Sequence, residues 1–361
     1  MTTLFDPLAI GDLTLKNRVI MAPLTRARAI GGARVPNALM AKYYEQRASA
    51  GLILSEATSV TPQGVGYADT PGLWSDEQVE GWKLVTQAVH AAGGLIFAQL
   101  WHVGRISDPS LLDGDAPVAP SAIAAKGHVS LLRPERPYPT PRALDVEELA
   151  GIVAAYRLGA ENAKKAGFDG VEIHGANGYL LDQFLQDSTN QRSDNYGGAI
   201  ANRARLMLEV TDACIAVWGA GRVGMHLAPR RDSHDMGDST PAETFGYVAR
   251  ELGKRKIAFI CSREALGADS LGPLLKREFG GVYIVNEKMD KAVAQQLLDE
   301  GVADAVAFGK AFIANPDLPL RLRTGAPLND LVPATIYSPD HRGYTDYPSL
   351  APAEARIAVE A

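Results

Sequence analysis

The feature of this sequence that most restricts its fold is a series of eight short apolar runs spread along the chain. Each run is continuous rather than alternating, which is typical of strands buried on both faces of a parallel sheet. We predict strands at 19–24, 52–57, 95–101, 170–175, 223–228, 257–262, 282–286 and 305–309.

Segments with the period of amphipathic helices separate these strands. We predict helices at 37–51, 76–93, 145–167, 201–218, 241–253 and 291–301. Gly51 is expected to cap the end of the first helix and Asp76 the start of the second. Repeated strand–helix units without a dividing linker predict an α/β fold, a (β/α)₈ TIM barrel forming a single domain over 1–361. An open doubly wound sheet is the alternative.

Composition excludes several classes of function. The net charge of −6 argues against a nucleic acid or an anionic membrane as partner. The start of the sequence lacks the pattern of a signal peptide, and no run of about 18 apolar residues is present. Cys214 and Cys261 form no CxxC pair, which favours a reducing cytoplasm and argues against a cysteine-ligated metal. We expect a cytoplasmic protein without a bound metal, and a monomer, with a dimer left open.

The segment after the third strand, about 103–144, is too long for a simple connection and is rich in proline. Loops of this length are usually functional. Because this one follows a strand, we expect it at the C-terminal face of the barrel, where active sites of this fold lie.

Polar and aromatic residues occur where the strands end, and they are predicted to meet at one mouth. They are Thr25, Glu56, Thr58, Gln99, Trp101, His102, His174, Asn177, Tyr179, His226, Asn286, Gly309 and Lys310. One such residue is usually a hydrogen-bonded core group, but groups from seven strands indicate a ligand site. The remaining histidines are expected in a helix (His90) or on surface loops (His128, His234 and His341).

Several chemistries are excluded by what the strand ends lack. The first strand has no histidine for a metal site, the sixth has no lysine for a Schiff base, and no Gly-x-Ser-x-Gly is present. Residues 219–224 match G-x-G-x-x-G, but they follow a helix and precede a strand, which is the reverse of the dinucleotide-binding context. We therefore interpret them as a loop.

With these chemistries excluded, the predicted mouth of the barrel contains neutral hydrogen-bonding groups and the Gly309-Lys310 pair. The loops after strands seven and eight form the usual phosphate site of a barrel, and an amide such as Gln99 suits a planar heterocycle. Flavin mononucleotide (FMN) satisfies both requirements.

With these residues in place, the chain resembles the Old Yellow Enzyme family of FMN-dependent ene-reductases. The resemblance is closest to bacterial members that reduce N-ethylmaleimide and nitrate esters. It is carried by LFDPLAIGDLTLKNRVIMAPLTR (4–26), AQLWHVGR (98–105), EIHGANGYLLDQFLQDSTNQRSDNYGG (172–198), DAVAFGKAFIANPDLP (304–319) and GYTDYPSL (343–350).

The resemblance implies a role for each site residue. The residues expected around FMN are Pro23, Leu24, Thr25, Ala57, Gln99, His174, Asn177, His226, Asn286, Gly309 and Lys310. Those expected around the substrate are Tyr67, Trp101, His174, Asn177 and Tyr337. Many members have arginine where this chain has His226 and Lys310, and the loop 337–348 lacks a glycine-rich run common in the family.

The implied reaction is the reduction of activated C=C bonds in α,β-unsaturated carbonyls, maleimides and nitroalkenes, with nitrate esters and quinones as further candidates. NADPH or NADH is the expected reductant. His174 and Asn177 would bind the substrate oxygen while hydride adds to the β-carbon, and Tyr179 would protonate the α-carbon. Two other readings stay open: a flavin-free, phosphate-binding lyase or isomerase, and a slow flavoprotein that senses or binds a ligand.

Overall fold

The computed structural model describes residues 2–230 and 233–350, and its central element is a closed barrel of eight parallel strands. The strands of the chain are β1 (Leu8–Ile10), β2 (Leu13–Leu15), β3 (Val19–Met21), β4 (Leu52–Leu54), β5 (Thr58–Ser59), β6 (Ile96–Trp101), β7 (Val118–Ala119), β8 (Arg142–Ala143), β9 (Gly170–His174), β10 (Val223–Leu227), β11 (Phe259–Arg263), β12 (Val282–Asn286) and β13 (Ala305–Phe308). The barrel runs β3, β4, β6, β9, β10, β11, β12, β13 and closes where β13 pairs with β3.

This closure confirms the predicted barrel and shows that the alternative, an open sheet, is wrong. All eight predicted strands are present, although most are shorter than predicted by one to three residues. The single domain over 1–361 stays a prediction, since residues 1, 231–232 and 351–361 lie outside the described residues.

Helices cover the outside of the barrel. They are α1 (Ala38–Gln46), α2 (Asp76–Ala91), α3 (Val146–Lys165), α4 (Leu180–Leu185), α5 (Ile200–Arg203), α6 (Arg205–Trp218), α7 (Pro241–Arg255), α8 (Gly272–Phe279), α9 (Lys291–Asp299), α10 (Lys310–Ala314) and α11 (Leu318–Thr324). Five of the six predicted helices are single elements, and the predicted 201–218 helix is divided into α5 and α6. The sequence did not predict α4, α8, α10 or α11.

Two predicted caps are wrong. Helix α1 ends at Gln46, because the backbone of Arg47 leaves the helical conformation, with φ of −103° and ψ of 9°. The buried guanidinium of Arg47 donates to the carbonyls of Phe312 and Ile313. Gly51 serves a close approach instead, since a Cβ there would lie 2.1 Å from the carbonyl oxygen of Asn17. Helix α2 is capped by Ser75 rather than Asp76.

The hairpin of β1 and β2 closes one end of the barrel, and the other end is open. Strands β1 and β2 form a hairpin whose Ile10 and Leu15 pack with the interior residues Leu52, Phe97 and Phe259. Residues 219–224 lie at the same end, where the stretch leads into β10, so the interpretation of this stretch as a loop is confirmed. The opposite end holds the site.

The long segment 103–144 follows β6 at that open end and contains the parallel pair β7 and β8, as expected for an elaborated loop. Within the described part of the chain, no helix combines the length and the apolar character needed to cross a membrane.

Candidate active site

Two adjoining cavities occupy the C-terminal mouth of the barrel. The first has a volume of about 500 Å³ and the second about 460 Å³. Both are lined by Pro23, Leu24, Gln99, His174, Asn177 and Tyr337. The first cavity is also lined by Thr25, Ala57, Tyr67, Trp101 and Tyr179, and the second by His226, Asn286, Gly309 and Lys310. The structure therefore brings together every residue that the resemblance implied for cofactor or substrate.

A tight turn between β9 and α4 delivers three of these side chains. Asn177 and Gly178 both have left-handed backbones, with φ of 59° and 78°. Asparagine and glycine tolerate this conformation better than other residues. The carboxylate of Asp182 accepts a hydrogen bond from the Gly178 N–H at 2.8 Å and fixes the turn. His174 at the strand end and Tyr179 at the start of the helix consequently line the same cavity.

The side chain of His174 lines both cavities and carries a buried ring nitrogen. Its side chain is almost completely buried, and its Nδ1 has no hydrogen-bond partner among the described residues. Burial, followed by the nearby His226 and Arg263, lowers the pKa of His174 well below its usual value. The ring is therefore neutral near pH 7 and can offer one N–H to a ligand.

Tyr179 is held among aromatic rings. Its hydroxyl lies 3.0 Å from the hydroxyl of Tyr67, and its ring meets Trp101 and His174 edge-on, each at 5.0 Å between centroids. Burial raises the pKa of Tyr179 above its usual value near 10. The phenol therefore keeps its proton at neutral pH and has one to give.

His234 lies in a loop, as predicted, but its side chain is half-buried rather than exposed. Its Nδ1 lies 2.7 Å from the backbone oxygen of Asn177, and its ring lies 5.2 Å from that of Tyr179. Its loop folds back over the β9–α4 turn, a contact that local sequence does not reveal.

The prediction for the other three histidines is confirmed: His90 lies on the exposed side of α2, and His128 and His341 are exposed in loops. The exposed His128 nevertheless lines the first cavity, with Ser130, Leu131 and Arg133 of the long segment.

A buried carboxylate missed by the sequence reading lies beneath the cavities. Glu172 accepts a hydrogen bond from Nε2 of Gln99 at 2.7 Å, and Nδ1 of His226 lies 3.3 Å from its other oxygen. It thereby fixes two of the residues expected around the flavin. Its position inside an apolar strand was the only signal available. Glu172, His226 and the thiol of Cys261 also lie close enough to share a cation, with their ligand atoms within 4.8 Å of one another.

The second cavity is lined by Asn286, Gly309 and Lys310 and also by Lys288, which was missed as well. Arg263 and Glu287 also line this cavity, and Nε of Arg263 donates to the Glu287 carboxylate at 2.7 Å.

Three predicted mouth residues do not line either cavity. The carboxylate of Glu56 instead accepts the backbone N–H groups of Arg26 and Ala27, and Thr58 and His102 are buried beside the barrel.

The donor set fits a phosphorylated planar heterocycle. The lining of the second cavity combines basic side chains with amide and imidazole groups, namely Lys288 and Lys310 with Gln99, Asn286 and His226. The first cavity shares six lining residues with it, among them His174 and Asn177. A flat ring system with a phosphate tail and a second small molecule can therefore be held side by side.

Comparison with known proteins agrees with this geometry. Residues 3–329 match the NADH:flavin oxidoreductase / NADH oxidase family. The chain is 43% identical over 359 residues to a probable flavin mononucleotide-dependent alkene reductase from Leishmania infantum, covering 96% of this chain and 97% of that protein. It is 41% identical over 362 residues to 12-oxophytodienoate reductase 2 from Arabidopsis thaliana, covering 96% of each.

Two solved structures are also similar to this chain. The Old Yellow Enzyme homologue from Zymomonas mobilis superposes with a TM-score of 0.94 at 47% identity, covering 97% of this chain and all of that one. Morphinone reductase, solved with tetrahydroNAD, superposes with a TM-score of 0.94 at 48% identity, covering 98% and 99%.

The fold and the site define an FMN-dependent oxidoreductase. The chain belongs to the NADH:flavin oxidoreductase / NADH oxidase family and, within it, to the Old Yellow Enzymes, as the sequence predicted. Neither the site nor these relatives support the alternative of a flavin-free lyase or isomerase.

Proposed function

We propose that this protein reduces activated alkenes with electrons from NADPH or NADH. The observation that carries the proposal is the convergence of His174, Asn177 and Tyr179 on one cavity that adjoins a second, whose lining fits FMN. The similarity to alkene and 12-oxophytodienoate reductases supports the substrate class.

The residues expected to hold FMN divide between its two ends. Asn286, Gly309 and Lys310 would hold the phosphate, because backbone N–H groups and a cation suit a dianion. Gln99 and His226, both fixed by Glu172, would face the polar edge of the ring. When bound in this cavity, FMN would supply the hydride chemistry that links the nicotinamide to the alkene.

His174 and Asn177 would hold the carbonyl or nitro oxygen of the substrate. Negative charge grows on that oxygen as the β-carbon is reduced, so fixed donors stabilise the transition state more than the ground state. The same pair would hold the carboxamide of the nicotinamide. Tyr179, which keeps its proton at neutral pH, would protonate the α-carbon.

An anaerobic steady-state screen tests the proposal. Purified protein loaded with FMN is assayed with NADPH and NADH against cyclohexenone, N-ethylmaleimide and a nitroalkene. We expect nicotinamide oxidation that depends on the alkene, with the saturated compound as product. Oxidation at the same rate without an alkene, and no saturated product, would instead support the slow binding or sensing flavoprotein.

Two further expectations belong to this proposal. A cytoplasmic location is supported by Cys214 and Cys261, both buried as free thiols. A monomer is proposed, with a dimer left open, and light scattering of the FMN-loaded protein decides between them.

A further inference from the structure

Arg263, the last residue of β11, bridges two loops across the mouth of the barrel. Its Nε donates to Glu287 at 2.7 Å, and its Nη1 donates to Oδ1 of Asn177 at 3.3 Å. The side chain is about one-third exposed and lines the second cavity. It therefore connects the loop after β12 with the turn that carries the candidate donors.

The chemistry of arginine determines which way the Asn177 amide points. A guanidinium has only donors, so the amide atom that faces it must be the oxygen. The NH₂ group of Asn177 is then directed away from Arg263. With the amide turned over, two sets of N–H donors would face each other and the carbonyl oxygen would point at the ligand.

We propose that Arg263 is a positioning residue, which holds the amide oxygen of Asn177 so that the NH₂ group faces the oxygen of the substrate or nicotinamide. The inference rests on the proposed function, since it assigns Asn177 as a donor to a carbonyl. Without this contact the amide can present its own oxygen, which repels a carbonyl oxygen. Glu287 holds the guanidinium in place from the other side.

Two observations support this role. The charge of Arg263 is close enough to contribute, after burial and His226, to the lowered pKa of His174, so the guanidinium acts on the same small site. The main chain of Asn177 has a separate contact, because its carbonyl oxygen lies 2.7 Å from Nδ1 of His234. Removing Arg263 should consequently free the amide while the backbone of the turn stays in place.

A double-mutant cycle on ligand binding tests the proposal. Benzamide carries the carboxamide of a nicotinamide but no reducible alkene, so its binding to the oxidised FMN protein reports the donor geometry alone. Titration followed by flavin absorbance gives its dissociation constant for the unmodified protein, Arg263→Met, Asn177→Ala and the double variant.

We expect Arg263→Met to weaken benzamide binding on the order of tenfold, the size of one hydrogen bond to a charged group. Because Arg263 acts through Asn177, the same change in the Asn177→Ala background should have almost no further effect. Additive losses, or a dissociation constant unchanged in Arg263→Met, would overturn the proposal.

Two other variants complete the experiment. Arg255→Met removes an arginine of the same size from an ion pair with Asp212 on the outer helices and should leave benzamide binding unchanged. Arg263→Lys keeps a donor and should recover part of the affinity; it takes the place of the methionine variant if that variant does not fold. Alkene reduction by the unmodified protein is measured separately, so a failure of the proposed function is distinguishable from a failure of this inference.

Discussion

His174 and Asn177 are adjacent to the same space, and the buried Nδ1 of His174 has no partner among the described residues. We expect the double change His174→Ala with Asn177→Ala to slow both reduction of FMN by NAD(P)H and reduction of an enone. Each lost donor to a developing charge costs roughly 10²- to 10³-fold. Stopped-flow absorbance of the flavin measures each half-reaction. A variant slowed in only one of them would show that the two ligands do not share this pair.

His226 lines the second cavity, and its Nδ1 lies 3.3 Å from the buried carboxylate of Glu172. His226→Ala should weaken FMN binding, because it removes a cavity wall and one of the partners of a buried carboxylate. Fluorescence of released FMN gives the dissociation constant. His226→Gln keeps an N–H for Glu172 and should lose less. Equal affinity in all three proteins would remove His226 from the cofactor site.

At the scale of residues, the sequence pattern predicted which side chains lie at the strand ends, but not the residues with which they form hydrogen bonds. Thr25, Gln99 and His226 could be placed because a strand end in a barrel determines where a side chain points. Glu172 was missed because it lies inside an apolar strand. Arg263 was missed because the predicted strand stopped one residue short of it. Partners such as these depend on contacts between distant segments, which a local pattern does not contain.

At the scale of elements, the β9–α4 turn depends on Asp182, whose two oxygens accept from Gly178 and from Gln186. Burial raises the pKa of Asp182 from 3.8 to about 7. Between these values the folded protein binds a proton that the unfolded chain has lost. The contribution of Asp182 to the free energy of unfolding is therefore greatest below pH 4 and falls as the pH rises to about 7.

Asp182→Asn lacks this titration, so thermal melts of both proteins across pH 4.5 to 8 isolate it. We expect the melting temperature of the unmodified protein, relative to that of the variant, to fall as the pH rises. A constant difference over this range would show that the carboxylate stays ionised in the folded protein.

The spacing of apolar residues predicted long helices well and short helices poorly. Helices α2 and α3 run over 16 and 20 residues and were found with ends displaced by at most two residues. Helix α8 has 8 residues and was missed, although Pro273 near its start and Gly280 at its end are typical helix signals. Two turns are too few for an apolar period to stand out.

At the scale of the whole molecule, the two cavities limit the cofactor. The second cavity is lined by one Gly309-Lys310 pair suited to a phosphate, and residues 219–224, which match G-x-G-x-x-G, lie at the other end of the barrel. We expect a yellow protein that releases FMN and not FAD on denaturation, identified by chromatography of the supernatant. Release of FAD, or a colourless protein that FMN does not reconstitute, would contradict the assignment of this cavity.

The central claim is that His174 and Asn177 act in both hydride transfers, whereas Tyr179 acts only in the protonation. Tyr179→Phe keeps the ring that packs against Trp101 and removes the hydroxyl that meets Tyr67. The most direct measurement is anaerobic stopped-flow of the two half-reactions of this variant. This division of roles predicts nearly unchanged flavin reduction by NAD(P)H, slower reduction of enones, and a smaller effect on quinones, whose product oxygens take protons from water. Equal slowing of flavin reduction and enone reduction would contradict it and would make Tyr179 a residue that positions ligands.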